Sequence, residues 1–453
     1  MPFDEYFKAF YHKIEVKMKK YSLFALFILA FGQQQTWAQQ EQSLHFVTDI
    51  WQSNLTNPAL LTTKKINVLL PSVYFNVNSP DFTINEMFKA NAEGKLDMTE
   101  LAKNRLKPQN RLDANINVQS LGFSMPVSNK LTLSIYQATN GNSFFNIRPE
   151  LVKVLVEGNA QYLGQKVSLG SSANGSFYSE IGLGAAYKIQ ESLVVGVRVK
   201  ALSGISGVFT EGSKIDVAFD NTNYALSFDN NFSVKTYSYD KIKNIKTAGD
   251  ALNQGLFSGN SGLSFDLGAT MKLGKMTFAA SIIDLAGSIN WKENGKGYAT
   301  NGTFSYSGAN SNNFFKIDSI NSTAFQDTIK KLVGYSETSN PEFKQKLPTK
   351  IYLSGTYQLT EKLRLGALIY NESGGMGDGH TGISLNATTS LGKILNLGGT
   401  VGLWNGQVSN LGVSAVIKLG PVQIYGVTDN VFAAIQPYDS KGTNGRVGLN
   451  LAF

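Results

Sequence analysis

Two histidines follow the N-terminal apolar stretch, His45 and His380, and their surroundings decide whether nucleophilic chemistry is available. Ser384 follows His380 by four residues, and a histidine beside a serine is the pair that activates a hydroxyl nucleophile. On a strand these two side chains share a face but lie about 13 Å apart, too far for proton transfer. We therefore predict no catalytic residue. An enzyme that uses His380 at an outer loop edge is the least favoured alternative.

Metal and cofactor sites are not predicted either. The chain has no Cys and no His-x-x-x-His pair, so the ligand spacings of common zinc sites are missing from the sequence. The glycine-rich stretch 374–379 has some likeness to a calcium-binding loop but lacks acidic residues at alternate positions. It is more typical of a tight turn between two strands.

Four basic side chains alternate with apolar residues. Arg198 and Lys200 lie between valines and alanine, and Arg364 and Lys418 have leucine, isoleucine or valine on both sides. Alternate residues of a strand point to opposite faces, so these basic groups lie opposite the apolar face and predict a polar interior. The net charge of +8 is spread along the chain without a basic block, which argues against nucleic acid as a partner.

The same period-2 alternation recurs from residue 66 onward in stretches of about ten residues, longer than the strands of most soluble sheets. Pairs of these stretches are joined by turns so short that the strands must be antiparallel neighbours. The turns are at residues 127–130, 190–192, 274–275, 360–362, 392–393 and 420–421. Short turns at one end and long loops at the other are typical of outer-membrane barrels, whose short turns face the periplasm.

Six short turns join twelve strands, and a first strand at 66–77 and a closing strand at 443–453 bring the count to fourteen. The closing strand carries Leu449, Leu451 and Phe453 on one face, as expected for the strand that closes a barrel. We therefore predict an all-β fold, a transmembrane antiparallel β-barrel of about 14 strands. A hairpin at 214–219 and 224–228, inside the long loop 204–262, would make sixteen if it joined the wall.

The first 38 residues have the features of a signal peptide. Lysines precede an apolar run at 21–31 that is too short to span a bilayer as a helix, and small residues follow before a cleavage site. Met18 is the expected start of translation. The predicted organisation is a signal peptide at 1–38, an N-terminal segment at 39–65 and a barrel at 66–453, in contact with the lipid of a Gram-negative outer membrane.

The long loops are predicted to be extracellular and partly helical. Amphipathic stretches at 81–107, 150–163 and 324–333 favour short helices, and 292–347 is the longest predicted loop. These loops form either a lid or partner surface, or a rim that merely covers the barrel mouth.

Aromatic residues near the strand ends suggest two interfacial girdles. Tyr187 and Tyr357 lie beside short turns, and Trp291 and Trp404 lie at the far ends of strands. Ordinary strand propensity of aromatic residues is the equal alternative.

The segment before the first strand contains Asn57-Pro58-Ala59, where asparagine as a cap and proline at the first helical position predict a short helix. Asn-Pro-Ala shortly after a signal peptide, followed by fourteen strands that end in Phe453, resembles the FadL-type superfamily of fatty-acid transporters. The chain is also similar to an uncharacterised family of Bacteroidota outer-membrane barrels within that group. The resemblance implies that Asn57, Pro58 and Ala59 belong to a hatch, or plug, in the lumen.

The resemblance leads to two main hypotheses. The first is hatch-gated uptake or binding of hydrophobic small molecules, which requires an apolar pocket between hatch and wall, with the inward basic residues holding the hatch by hydrogen bonds. The second is a non-transporting barrel with a filled lumen, as in a related branch that assists protein secretion or surface attachment. This barrel would bind an extracellular or periplasmic protein partner.

Overall fold

The computed structural model describes residues 41–62, 66–79, 81–83, 85–86, 106–107, 110–238, 255–256, 258–306, 335–377, 379–404 and 407–453. The predicted signal peptide and the start at Met18 lie outside these residues, as do the predicted helix at 324–333 and most of the one at 81–107. Among the described residues, no helix has both the length and the apolar character needed to cross a membrane.

The described residues contain nineteen strands and three short α-helices. The strands are β1 (Asn67–Asn78), β2 (Asn110–Pro126), β3 (Leu131–Ile147), β4 (Lys166–Ser168), β5 (Ser172–Gln190), β6 (Leu193–Phe219), β7 (Leu226–Tyr237), β8 (Ser261–Leu273), β9 (Met276–Trp291), β10 (Gly295–Tyr306), β11 (Ser336–Ser339), β12 (Phe343–Lys346), β13 (Thr349–Gln358), β14 (Leu363–Ser373), β15 (His380–Leu391), β16 (Leu395–Trp404), β17 (Gln407–Leu419), β18 (Val422–Thr428) and β19 (Gly442–Ala452). The helices are α1 (Gln42–Phe46), α2 (Pro149–Glu157) and α3 (Val431–Ile435), and short 3₁₀ turns cover Trp51–Leu55, Ala160–Tyr162 and Pro437–Asp439.

Fourteen strands close into an antiparallel ring. Their order is β1, β2, β3, β5, β6, β8, β9, β13, β14, β15, β16, β17, β18 and β19. The ring closes because β19 pairs with β1 from Ala452 opposite Asn67 to Gly442 opposite Asn78. One residue further, the backbone N–H of Phe453 donates to the carbonyl of Ile66 at 2.9 Å. The predicted count of fourteen is confirmed, and closure leaves this sheet without an edge.

The other five strands pair beyond the ring, at the end opposite the short turns. The first part of β6 pairs with β8 in the wall, and its second part pairs with β7 and β4. In turn β10 pairs with β7 and β11, and β12 pairs with the end of β9. We call β4, β7, β10, β11, β12 and the second part of β6 the outer extension. The predicted hairpin is its β6–β7 turn, and it therefore adds no strand to the wall.

The hairpin predicted inside 204–262 is present as the end of β6 and β7, and both strands are longer than predicted. The prediction that 292–347 is a loop is wrong where this range is described, because it contains β10, β11 and β12. The physical reason is the surroundings of these strands. A strand outside lipid carries polar residues on both faces, as the Ser-Glu-Thr-Ser sequence of β11 does, so the alternation that marks a wall strand is missing.

The outside of the ring is apolar and the inside is polar. Phe75, Leu183 and Val447 point outward and are 45%, 58% and 63% exposed, whereas the neighbouring Tyr74 and Arg446 point inward and are buried. A soluble sheet would bury its apolar face, and this one exposes it all around a closed cylinder. This is the surface of a membrane-spanning barrel.

The aromatic residues divide between the lipid-facing surface and the outer extension. Tyr187 and Tyr357 are exposed on the lipid-facing surface beside short turns, where the sequence places one girdle. Trp291 is fully buried and packs between Phe209 and Tyr237, so its prediction as an interfacial residue is wrong. At this position β9 has left the wall and the outer extension covers the indole. The side chain predicted for the same girdle at position 404 lies outside the described part.

Candidate functional site in the barrel lumen

The described part of the N-terminal segment, residues 41–62, contacts inward-facing side chains on strands from all around the ring. The contacting wall residues include Gln119 on β2, Arg198 on β6, Ser281 on β9, Arg364 on β14, Lys418 on β17 and Arg446 on β19. These strands lie on different sides of the cylinder. A segment that reaches all of them lies inside the lumen.

Asn57, Pro58 and Ala59 form a tight turn and not the start of a helix. The side-chain oxygen of Asn57 accepts the N–H of Ala59 at 2.8 Å, and its backbone carbonyl accepts the N–H of Leu60 at 3.0 Å. The helical turn in this region comes earlier, as the 3₁₀ turn Trp51–Leu55. The prediction of a helix that begins at Pro58 is therefore wrong, because the asparagine side chain closes a local turn on its own backbone.

Two glycines on neighbouring strands leave the space that this turn occupies. Gly196 of β6 lies directly opposite Gly268 of β8, and a Cβ at either position would overlap the backbone of Pro58 or the side chain of Asn57. The amide of Asn57 donates to one backbone carbonyl of β8 at 3.3 Å and to one of β9 at 3.2 Å. The inner wall therefore has a depression that the turn fills.

Arg198 joins the N-terminal segment to the wall. Its guanidinium donates to the backbone carbonyl of Asn54 at 2.9 Å and also to the side-chain oxygen of that residue. The same group pairs with Asp266 at 2.9 Å and lies over the rings of Trp51 and Tyr136. Only 1% of the Arg198 side chain is exposed, and these partners satisfy its two terminal nitrogens, while its Nε makes no hydrogen bond among the described residues.

Lys200 binds two acidic residues of the wall and does not contact the N-terminal segment. Its ammonium group lies 2.8 Å from Asp266 and 2.5 Å from Asp284. Asp284 and Ala286 have φ of 59° and 54°, in the left-handed region that side chains seldom adopt. This irregularity interrupts β9 and turns the carboxylate of Asp284 inward to Lys200.

Arg364 and Lys418 hold the first part of the segment. Arg364 donates to the carbonyl of Phe46 at 2.8 Å and to the hydroxyl of Thr48 at 3.0 Å, and Lys418 lies 2.7 Å from the carboxylate of Asp49. Of the four basic residues predicted to face the lumen, Arg198, Arg364 and Lys418 contact the N-terminal segment, and Lys200 is paired with wall carboxylates.

Sequence reasoning missed several further contacts of the segment. Arg446 pairs with Glu41, and Gln52 exchanges hydrogen bonds of 2.8 and 3.0 Å with Asn450. Arg446 alternates with apolar residues as Arg198 does, so the same pattern could have identified it. Glu41 and Gln52 could not have been identified in this way, because the segment has no repeating structure and its sequence therefore shows no alternation.

His45 makes another contact that the sequence did not predict, and its ring is buried inside the lumen. One ring nitrogen lies 2.8 Å from the hydroxyl of Thr56 and the other lies 2.8 Å from the hydroxyl of Ser354. Burial, and secondly the charge of Arg364, lowers the pKa of His45 to about 4. The imidazole is therefore neutral at physiological pH.

The pKa of Asp429, just after β18, is shifted in the opposite direction. The backbone N–H of Ser43 donates to its carboxylate at 2.7 Å. Burial nevertheless raises the pKa of Asp429 to about 6, because hydrogen bonding only partly offsets the loss of water.

The segment divides the lumen into two cavities. An outward cavity of about 200 Å³ is bounded by Leu55 and Thr56 of the segment. A second cavity, of about 660 Å³, lies on the short-turn side and is bounded by Pro58 and Leu60. Among the described residues, none lines both cavities. The segment is therefore the partition between them.

The outward cavity differs from the apolar pocket expected from the sequence. Its lining includes six asparagines, five acidic residues and five basic residues. An apolar groove does exist, lined among others by Phe278, Ile369 and Ile383, but these side chains face lipid and not the lumen. The chemistry available in the lumen is hydrogen bonding, with charged groups paired to each other.

His380 lies at the edge of the outward cavity, opposite Glu372 on the neighbouring strand. Ser384 is buried further along the same strand. Within the described ranges, no group of three or more His, Cys, Asp and Glu side chains is placed to hold a metal ion.

Solved structures that match this chain have low sequence identity to it. A TodX deltaS2S3 mutant monoaromatic hydrocarbon channel has a TM-score of 0.47 at 11% identity over 93% of this chain and 97% of the other. A Pseudomonas aeruginosa FadL homologue has a TM-score of 0.44 at 10% identity over 88% and 93%. The Pseudomonas putida toluene transporter TodX has a TM-score of 0.36 at 10% identity over 93% and 96%.

Comparison of the sequence itself identifies a family without an assigned activity. No curated protein matches the chain. Residues 58–429, from the proline of the Asn-Pro-Ala turn to the buried aspartate after β18, match a family model. The chain belongs to the family of unknown function DUF5723.

Proposed function

We propose that this protein is a barrel of the Gram-negative outer membrane in which residues 39–65 act as a hatch that gates the passage of small molecules. The observation that carries the proposal is the partition of the lumen. The N-terminal segment separates an outward cavity from one on the short-turn side, and displacement of the segment joins them. The lipid-facing apolar surface supports the location.

The contacts that hold the segment suit a reversible gate. They combine apolar packing, as of Phe46 and Trp51, with hydrogen bonds and ion pairs, such as those of Asp49 with Lys418 and of Asn54 with Arg198. Each such bond contributes about 1 kcal/mol net, because water takes its place when the segment leaves. A hatch held by apolar packing alone would lack this exchange with water.

The cargo class follows from the lining of the lumen. The sequence led us to expect hydrophobic molecules, but apolar cargo would leave the polar groups of the outward cavity without partners. The apolar groove faces lipid and supports lipid contact alone. We therefore favour small polar molecules as the cargo.

A disulfide latch tests the gate. A Cβ at Gly412 on β17 would touch the hydroxyl of Ser43 in the segment, so Ser43→Cys with Gly412→Cys brings two thiols within bonding reach. The chain has no other cysteine. In planar bilayers containing KCl, 3 M urea should displace the segment of the wild type and raise its conductance. The oxidised double variant should stay silent in urea, and dithiothreitol should restore its conductance.

The two single-cysteine variants are the matched controls, and both should conduct in urea as the wild type does. Equal conductance of the oxidised and reduced double variant would show that the segment does not gate the lumen. A chain that lacks residues 41–62 should conduct without urea, provided that it still forms a barrel.

A scaffold for protein secretion or surface attachment is the second candidate, favoured by the filled lumen and by the outer extension. The extension has its own buried cluster, in which Val217, Phe219 and Leu226 pack with Val154 of α2. Tyr224 at its hairpin tip is 67% exposed. A photocrosslinking residue at this position should capture a specific protein on intact cells, and the same residue at the lipid-facing Leu121 should not. The scaffold would be contradicted if neither position captured a protein.

A further inference from the structure

One side of the outward cavity is rich in asparagine, which supplies six of the twelve lining residues on β1, β2 and β3. The six asparagines that line the cavity all lie on the neighbouring strands β1, β2 and β3, and we call this surface the asparagine wall. They are Asn76, Asn78, Asn115, Asn117, Asn140 and Asn142. Register places three of them in one row, Asn76 opposite Asn115 and Asn115 opposite Asn142. The next row is formed by Tyr74, Asn117 and Asn140.

Several polar atoms of this wall are buried without a partner. The hydroxyl of Tyr74, the side-chain oxygens of Asn76 and Asn78, and the side-chain nitrogen of Asn140 make no hydrogen bond within the described part of the chain. The exposed fractions of Tyr74 and Asn76 are only 6% and 3%. Buried polar atoms nearly always have partners, so these four atoms need water or a ligand in the cavity that they border.

The charges around the cavity balance in number and are few at the asparagine wall. The five acidic residues of the lining match the five basic ones, and the asparagine wall itself carries only one of them, Asp113, which pairs with Arg111. On the nearby strands β6, β8 and β9, Arg198 and Lys200 are neutralised by Asp266 and Asp284 at 2.5–2.9 Å. An ionic ligand would therefore find no uncompensated countercharge on the asparagine wall or at Arg198 and Lys200.

We propose that the asparagine wall binds a neutral polyhydroxylated molecule, a mono- or disaccharide. A sugar hydroxyl both donates and accepts, as an asparagine amide does, so the unpaired donors and acceptors of the wall match it. The rings of Tyr74, Tyr178 and Phe144 border the same surface and can pack against the C–H faces of a sugar. The cavity of about 200 Å³ is below the roughly 300–1,000 Å³ of drug-sized sites and selects a small ligand.

The site deepens the proposed function by naming the class of cargo. Transport of a sugar rests on the proposed gate, but binding of a sugar does not, because the outward cavity is formed while the segment is in place. The binding experiment can therefore fail or succeed independently of the disulfide-latch experiment.

Equilibrium dialysis of the mature protein tests the site. The protein is held in lauryldimethylamine oxide, since glycosidic detergents present sugars of their own. The probes are radiolabelled glucose and maltose, with decanoate as an apolar probe, glucuronate as a charged one and trialanine as a peptide. We expect binding of glucose or maltose in preference to the other three.

The wall residues supply the variants. Asn76→Leu and Asn140→Leu keep the shape of the side chain and remove its hydrogen bonds, and each should weaken sugar binding at least fivefold, the effect of about one hydrogen bond. Asn231→Leu, the same change at an exposed position of the outer extension, should bind as the wild type does. Heat-dependent migration on gels verifies that each variant forms a barrel.

The proposal is overturned if neither sugar binds, or if sugar binding is unchanged in both wall variants. Preferential binding of decanoate would return the cargo to the hydrophobic class. Preferential binding of trialanine would assign the asparagine wall to peptides.

Discussion

The two sides of the barrel lumen are both polar, but they satisfy their polar groups in opposite ways. On β6, β8 and β9, Arg198, Lys200, Asp266 and Asp284 are paired with each other or with the N-terminal segment. We call this surface the ion-paired wall. On the nearby strands β1, β2 and β3, the asparagine wall leaves several buried donors and acceptors unpaired among the described residues, whereas on the ion-paired wall only the Nε of Arg198 is unpaired.

This contrast separates two uses of a polar interior. Charged groups that are fully paired fix the position of a neighbouring segment, and removal of one member leaves another charge buried alone. In the asparagine wall, Asn117 hydrogen-bonds to Asn140 and to Arg446, but the remaining unpaired amide atoms are available to a ligand. Mutations in the ion-paired wall should therefore cost stability, and mutations in the asparagine wall should cost binding.

The largest effect is expected for Asp266→Asn. This change keeps the shape of the side chain but leaves Arg198 and Lys200 as buried cations with one carboxylate fewer. Loss of one member of a buried ion cluster costs about 3–5 kcal/mol. Urea unfolding in lauryldimethylamine oxide micelles, followed by tryptophan fluorescence, should show a lower midpoint. Asp229→Asn, in the exposed pair with Lys214, is the control and should leave the midpoint unchanged. Equal midpoints for both variants would remove the distinction between the walls.

The second effect is that stability depends on pH, with opposite sign, at two buried groups. The pKa of His45 is lowered to about 4, so its contribution to stability is lost as the pH falls from about 6.5 to about 4, by roughly 3 kcal/mol. The pKa of Asp429 is raised to about 6, so its contribution is present below about pH 4 and is lost as the pH rises through 6.

Two variants separate these contributions. His45→Gln removes the first, and its unfolding midpoint should rise as the pH falls from 6 to 4. Asp429→Asn removes the second, and its midpoint should fall over the same range. The midpoint of the wild type should change less with pH than that of either variant, since the two effects oppose each other. Parallel curves for the two variants would contradict both assignments.

The third effect concerns the space at Gly196 that the Asn57–Ala59 turn occupies, beside the ion-paired wall. Gly196→Ala places a methyl group against the backbone of Pro58, which cannot move without the whole turn. Overpacking of this kind costs about 1–3 kcal/mol. The variant should conduct KCl at a lower urea concentration than the wild type. Gly399→Ala, where a Cβ meets nothing within 4 Å, is the control. A shift of equal size in both variants would assign the effect to the strands themselves.

The wall of the barrel could be predicted from the sequence because lipid imposes a strict rule on it. Residues such as Val447 and Leu449 must alternate with inward-facing ones, and both the count of fourteen strands and the inward position of Arg198 follow from that alternation. Apart from the β6–β7 hairpin, the outer extension escaped prediction because water imposes no such rule on its strands. The same reason explains why the buried position of Trp291 was missed.

The candidate site could be predicted only in part. Alternation identifies Arg198, Arg364 and Lys418 as inward, but their partners in the N-terminal segment depend on how a non-repeating chain folds inside the cylinder. The asparagine wall was also missed. Its members are distributed over three strands, and only the strand register brings Asn76, Asn115 and Asn142 into one row.

The smallest effect on stability is expected in the asparagine wall. Asn76→Leu removes a buried oxygen that has no partner in the described part of the chain, so no protein hydrogen bond to this oxygen is lost. Replacement by an apolar group of similar shape should change the free energy of unfolding by less than about 1 kcal/mol, or raise it slightly. The urea midpoint should therefore match that of the wild type even where sugar binding is lost. A loss as large as that of Asp266→Asn would mean that this side chain supports the fold, and the division of the lumen into a structural wall and a binding wall would fail.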